Sequence, residues 1–130
     1  MKKRLFIEGD HINDIASFYT EINRVFMQNE NWQIGQSLDA LSDMMYGGFG
    51  EIKQKEPIEL VWHNIEKSKC MLGLDATKTF YKDKLASPSV FNVQLIKERL
   101  EALENGKGST FFEIVMEIIA EHPNIEVLSQ

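Results

Sequence analysis

Three short apolar runs, Leu5-Phe6-Ile7, Ile58-Glu59-Leu60-Val61-Trp62 and Ile125-Glu126-Val127-Leu128, stand far apart in a chain of 130 residues, with helix-forming sequence between them. Strands that alternate with helices predict an α/β fold: a small three-stranded parallel sheet covered by helices. The first run leads into Ile15, Phe18, Tyr19, Ile22, Val25 and Phe26 at helical spacing, behind a capping Asn13 or Asp14. Gly35 then breaks the chain, and Ser37 is placed to accept a bond from a free amide of a second helix. Leu38, Leu41 and Met45 mark one face of that helix, Asp39, Ser42, Asp43 and Tyr46 another, and Gly47-Gly48-Phe49-Gly50 ends it.

A further helix is expected from Asn64 to about Gly73, with Ile65, Cys70 and Met71 as inward candidates. From Asp75 to Ser89 the pattern is mixed and carries Lys78, Lys82 and Lys84 ahead of Pro88; from Val90 to Leu103 it turns helical, with Val93, Ile96, Leu100 and Leu103 on one stripe. Asn105-Gly106-Lys107-Gly108 reads as a turn, Thr110 to Glu121 as an amphipathic helix, and Pro123 as its stop. The length and an apolar content of 43% fit one domain over residues 1–130.

Charge narrows the function classes. Twenty acids against fourteen bases give a net charge of −6. Between Phe26 and Ile52 stand Glu30, Asp39, Asp43 and Glu51 with no Lys or Arg, and after Lys107 stand Glu113, Glu117, Glu121 and Glu126, again unanswered. Such a surface draws a basic partner and disfavours nucleic acid as a direct ligand, since binding phosphates requires bases. The apolar run after Met1-Lys2-Lys3-Arg4 is too short for a signal peptide and no stretch is long enough to span a membrane, so the expected location is the cytoplasm. A single cysteine, Cys70, is compatible with a reducing compartment.

Enzymatic signatures are missing. His11, His63 and His122 have no metal-site spacing, and no metal or cofactor is expected. The Gly47–Gly50 cluster follows a helix rather than a strand, lacks a following Lys-Ser or Lys-Thr, and sits among acids that repel phosphate.

What remains is the pair of aspartates. Asp39, in the first turn of its helix, interacts favourably with the exposed amides there. Asp43 has no such role: one turn later on the same face, it repels Asp39 by about 0.2–0.5 kcal/mol. The fold gains nothing from the pair, whereas a cationic partner would relieve the repulsion on binding.

Gly35-Gln36-Ser37-Leu38-Asp39-Ala40-Leu41-Ser42-Asp43 resembles the central motif of the barstar family, in which Gly, Glu, Asn, Leu, Asp, Ala, Leu, Trp and Asp stand in that order. Ile58 to Trp62 with Ile65-Glu66-Lys67-Ser68-Lys69 is similar to the family's second strand and third helix. Asn105-Gly106, the helix after it and Ile125 to Ser129 resemble its last helix and strand. The likeness covers about residues 4–74 and 104–129, with an extra helical insertion at about 75–103.

The resemblance implies a barstar-like fold and an inhibitor, not an enzyme, whose acidic helix and preceding loop block the active site of a basic ribonuclease. Longer members of this kind resemble bacterial immunity proteins that neutralise a ribonuclease toxin. Asp39 and Asp43 fall on the family's contacting aspartates. Gln36 stands for an acid, Ser42 for an aromatic, Gln33-Ile34 for an aromatic pair and Gly108 for a helix-start acid, while Trp32 and Phe49 lie a position away from the lost aromatics. The expected partner-binding set is therefore Trp32, Gln33, Gln36, Asp39, Ser42, Asp43, Tyr46 and Phe49. The alternative is an acidic structural or protein-interaction domain without a nuclease target.

Overall fold

The structure, a computed structural model, describes residues 3–86 and 93–130. In chain order the elements are β1 (Lys3–Glu8), α1 (Ile15–Phe26), α2 (Leu38–Tyr46), β2 (Ile58–His63), α3 (Ile65–Met71), α4 (Leu74–Leu85), α5 (Val93–Glu104), α6 (Phe111–Ala120) and β3 (Ile125–Ser129), with a 3-10 turn at Gly9–His11. The strands pair in the order β1-β2-β3, all parallel, with Leu5 opposite Leu60 and Leu60 opposite Val127. This is the α/β architecture expected from the spacing of the three apolar runs.

Local chemistry sets the helix boundaries. The Asp14 carboxylate accepts the Ser17 amide at 2.7 Å while the Ser17 hydroxyl accepts the Asp14 amide at 2.9 Å, a reciprocal cap that opens α1. The Ser17 hydroxyl and amide hold the Asp14 carboxyl below its usual range. Thr110 and Glu113 form the same device at α6. Ser37 Oγ accepts the Ala40 amide at 3.2 Å and starts α2.

The main core joins Leu5, Ile7, Leu60 and Trp62 of the sheet to Phe18 and Phe26 of α1, to Leu41, Met44 and Met45 of α2, and to Phe111 and Val115 of α6. Each such side chain contributes roughly 1.5–3 kcal/mol on burial. Because Leu41, Met44 and Met45 face inward, the polar side of α2 is left outward.

Two expectations need correction. The segment from Asp75, whose pattern reads as mixed, forms one regular helix, α4, as far as Leu85. Its inward positions are Thr77 and Tyr81, so the apolar periodicity is weak, and the helix is held by polar chemistry instead. Buried Thr77 Oγ1 donates to the Gly73 carbonyl and accepts the Phe111 amide, both at 2.7 Å, tying α4 to the start of α6. Second, Cys70 is exposed, and Ile65 and Met71 are only partly buried. The inward residue of α3 is Ser68, because the Trp62 indole needs an acceptor in the core and finds Ser68 Oγ at 2.9 Å. Helix α5 is described from Val93 onward; Val90, with Pro88 and Ser89, lies outside the described residues.

Ile96 and Leu103 of α5 form a second, smaller core with Tyr81, flanked by Phe80, Leu85 and Leu100. Val93 is partly buried beside them in sequence. The Phe80 ring lies 5.4 Å from that of Phe111 and so joins this cluster to the main core.

Candidate functional site

Helix α2 carries its polar residues at positions i, i+3, i+4 and i+7. Asp39 and Asp43 are exposed, Ser42 between them is partly buried, and Tyr46 is 54% exposed. Neither aspartate forms an ion pair among the described residues. Their situations still differ. Lys84, from α4, lies within the field of Asp39; burial and the charge of Arg99 push the Lys84 ammonium below its usual range, while Asp39 works against that shift. The base that sequence proximity failed to supply to Asp39 thus arrives from α4. Asp43 has no such neighbour.

Both ends of the helix are fixed. At its C-terminus Gly47 adopts φ 88° and Gly50 φ 80°, values that L side chains rarely take. A Cβ at Gly47 would meet the Gln54 backbone at 2.9 Å and one at Gly50 the Phe26 carbonyl at 2.7 Å. At the other end the buried Asn23 amide holds the incoming loop: its oxygen accepts the Ile34 amide at 2.9 Å, and its nitrogen donates to the carbonyls of Ile34 at 3.2 Å and Tyr19 at 3.0 Å. Sequence reasoning missed Asn23. Its place on the inner stripe of α1, beside Tyr19 and Ile22, was the available signal.

The flanking aromatics behave as a unit. Trp32, 45% exposed, packs against Phe49 with ring centroids 4.9 Å apart at 50°. Tyr46 stands edge-on to buried His122 at 4.6 Å and 88°. Gln33 and Gln36 are exposed on the loop before α2. Gln36 lies away from the Tyr46 end and forms part of the wall of a groove shared with α1 and α4.

The other acids of the base-free stretch are occupied by the fold. Glu51 is buried, accepts from Asn29 Nδ2 at 2.7 Å and lies 3.7 Å from Lys3 Nζ, which also donates to the Glu51 carbonyl. Glu30 accepts the Gly50 amide at 3.4 Å. Only Asp39 and Asp43 face outward without such bonds, so the helix can offer carboxylates to a cation but assembles no nucleophile with a base. Among the described residues no group of three or more His, Cys, Asp and Glu could hold a metal ion, and no helix is long and apolar enough to cross a membrane. His11 and His63 each bond an acid, Glu21 at 2.8 Å and Glu8 at 2.9 Å.

A family model described as Barstar (barnase inhibitor) matches residues 3–82, from β1 into α4. No curated protein matches the chain.

Proposed function

Because the chain belongs to the barstar family of ribonuclease inhibitors, we propose that it blocks a basic ribonuclease with α2 and the loop before it, as a cytoplasmic bacterial immunity protein against a ribonuclease toxin. Asp39 and Asp43 stand where substrate phosphates would lie, and the nuclease's own Arg, Lys and His supply the bases that this face lacks. Ser42 and Tyr46 continue the same face. Trp32 with Phe49, and Gln33 with Gln36, flank it. The observation that carries the reading is Asp43: exposed, repelled by Asp39, in the last turn of α2 where no free amide favours an anion, and in no ion pair among the described residues.

The protein has no turnover of its own on this reading, and no cofactor. The test is inhibition of RNA cleavage by a panel of small basic ribonucleases, barnase and the product of any adjacent reading frame included, followed by titration calorimetry of Asp39→Ala and Asp43→Ala. Truncating a desolvated acid strands its cationic partners, so Asp43→Ala is expected to lose about 2 kcal/mol of binding or more. An Asp43→Ala protein that binds as tightly as wild type, or that unfolds, overturns the phosphate-mimic mechanism. No inhibition across the panel favours an acidic interaction domain without a nuclease target.

A further inference from the structure

The groove that begins at Gln36 has a volume of about 640 Å³ and runs between the N-terminal end of α1, the C-terminal end of α3 and one side of α4. Ile15 and Phe80 give it apolar walls, and Asp14, Asp75 and Asp83 give it acidic ones; among the described residues no Lys, Arg or His lines it, and the Lys84 ammonium stands at its wall, 4.2 Å from the centre of the Phe80 ring. Asp14 is engaged as the cap of α1. Asp75 and Asp83 form no ion pair among the described residues. Asp75, in the first turn of α4, interacts favourably with the free amides there, but Asp83 sits in the last turn, where the helix terminus is already negative. Its placement costs the fold a little, as that of Asp43 does.

We propose that this groove extends the nuclease-binding surface and receives a loop of the ribonuclease bearing Lys or Arg side chains. Their charged heads meet Asp75 and Asp83, and their methylene stems lie along Ile15 and Phe80. Three features select a basic loop over other occupants: the three aspartates among the described lining residues, the apolar surface between them, and continuity through Gln36 with the face proposed to bind the nuclease. The inference rests on the inhibitor reading above. It gives α4 a part in choosing the partner.

Cys70, the protein's only cysteine, is exposed and lines the groove, so it reports on occupancy. The experiment measures its alkylation by a small maleimide, free and in complex with the ribonuclease that the wild-type chain inhibits most strongly, alongside the affinities of Asp43→Ala, Asp83→Lys and the pair Asp75→Asn with Asp83→Asn. Occupancy slows alkylation at least tenfold. Two partly exposed ion pairs together make the Asn double variant bind roughly tenfold more weakly, about 1.4 kcal/mol, and Asp83→Lys more weakly still; the opposite roles of Asp75 and Asp83 at the ends of α4 offset in the double variant, and Asp83→Lys melts no lower than wild type. If Cys70 reacts at its free rate in a complex that Asp43→Ala weakens, the groove is empty: this inference falls and the inhibitor reading stands. If Cys70 is protected and the α4 variants weaken a complex that Asp43→Ala leaves intact, the groove stands and the phosphate-mimic helix falls. If no ribonuclease of the panel binds, both fall.

Discussion

Glu21 on α1 and Asp43 on α2 carry the same charge and are used in opposite ways. Glu21 is 2% exposed, and both of its oxygens are taken: Arg24 donates from Nε at 2.8 Å and Nη2 at 2.6 Å, the Glu8 amide at 2.7 Å, and His11 Nδ1 bonds it at 2.8 Å. Burial works to raise its pKa, but the bonds from Arg24, the Glu8 amide and His11, together with the Arg24 charge, hold it below the usual range. Asp43 has none of this: no cap, no cation, no burial. A charge satisfied inside the molecule locks β1 to α1. A charge left unsatisfied on a rigid helix is available to another molecule.

The sharpest test removes the inner acid. Glu21→Ala strands the Glu8 amide and the Arg24 guanidinium, and chemical denaturation should show a loss of about 2–3 kcal/mol, below the range for fully buried pairs because Arg24 is half exposed. Binding to a nuclease should be untouched; a large loss of affinity there would erase the contrast between the two sites. Asp43→Ala is expected to give the reverse, a binding loss of about 2 kcal/mol or more in calorimetry with a melting temperature unchanged or slightly raised. Its association rate should fall steeply with salt even in the wild-type protein, because opposite charges steer the encounter.

Acid separates the sites again. Since the folded pKa of Glu21 is lowered, its stabilisation is complete above the ordinary glutamate value of about 4.3 and is lost as pH falls through the lower folded value. Glu21→Gln should flatten that part of the stability profile, and Asp43→Asn should leave it as it is. The smallest effect separates the aspartates themselves. Asp43→Ala relieves repulsion and should raise stability by about 0.2–0.5 kcal/mol, whereas Asp39→Ala also removes an anion near Lys84 and from the first turn of α2, and should raise it less or lower it.

The strands, α1, α2 and α6 were legible because their apolar residues recur at the right period and Asp14, Ser37 and Thr110 are caps that the amide chemistry of a helix start demands. Helix α4 was not, because Thr77 and Tyr81 do its inward packing and a hydroxyl between Gly73 and Phe111 leaves no periodic trace. Cys70 and Ser68 were exchanged for a similar reason: only the fold brings the Trp62 indole to Ser68. In the site, Asp39, Asp43, Tyr46 and Trp32 stood out in sequence and are exposed. Lys84 near Asp39 and Lys3 near Glu51 are contacts across the fold that a count of bases along the chain misses. Glu21 was also readable in principle, lying one turn after Phe18 on the buried side of α1 with Arg24 three residues on.

The pinning of α2 by Asn23 at one end and by Gly47 and Gly50 at the other has an evolutionary consequence. The frame that orients the helix is built from residues that face inward, while the proposed recognition residues Gln33, Gln36, Asp39 and Asp43 are exposed and carry almost none of the folding free energy. Recognition can therefore drift one surface residue at a time, following a nuclease that changes, without passing through an unfolded ancestor. Selection by the proposed nuclease partner would act on the outward side of this helix and leave its two anchors alone.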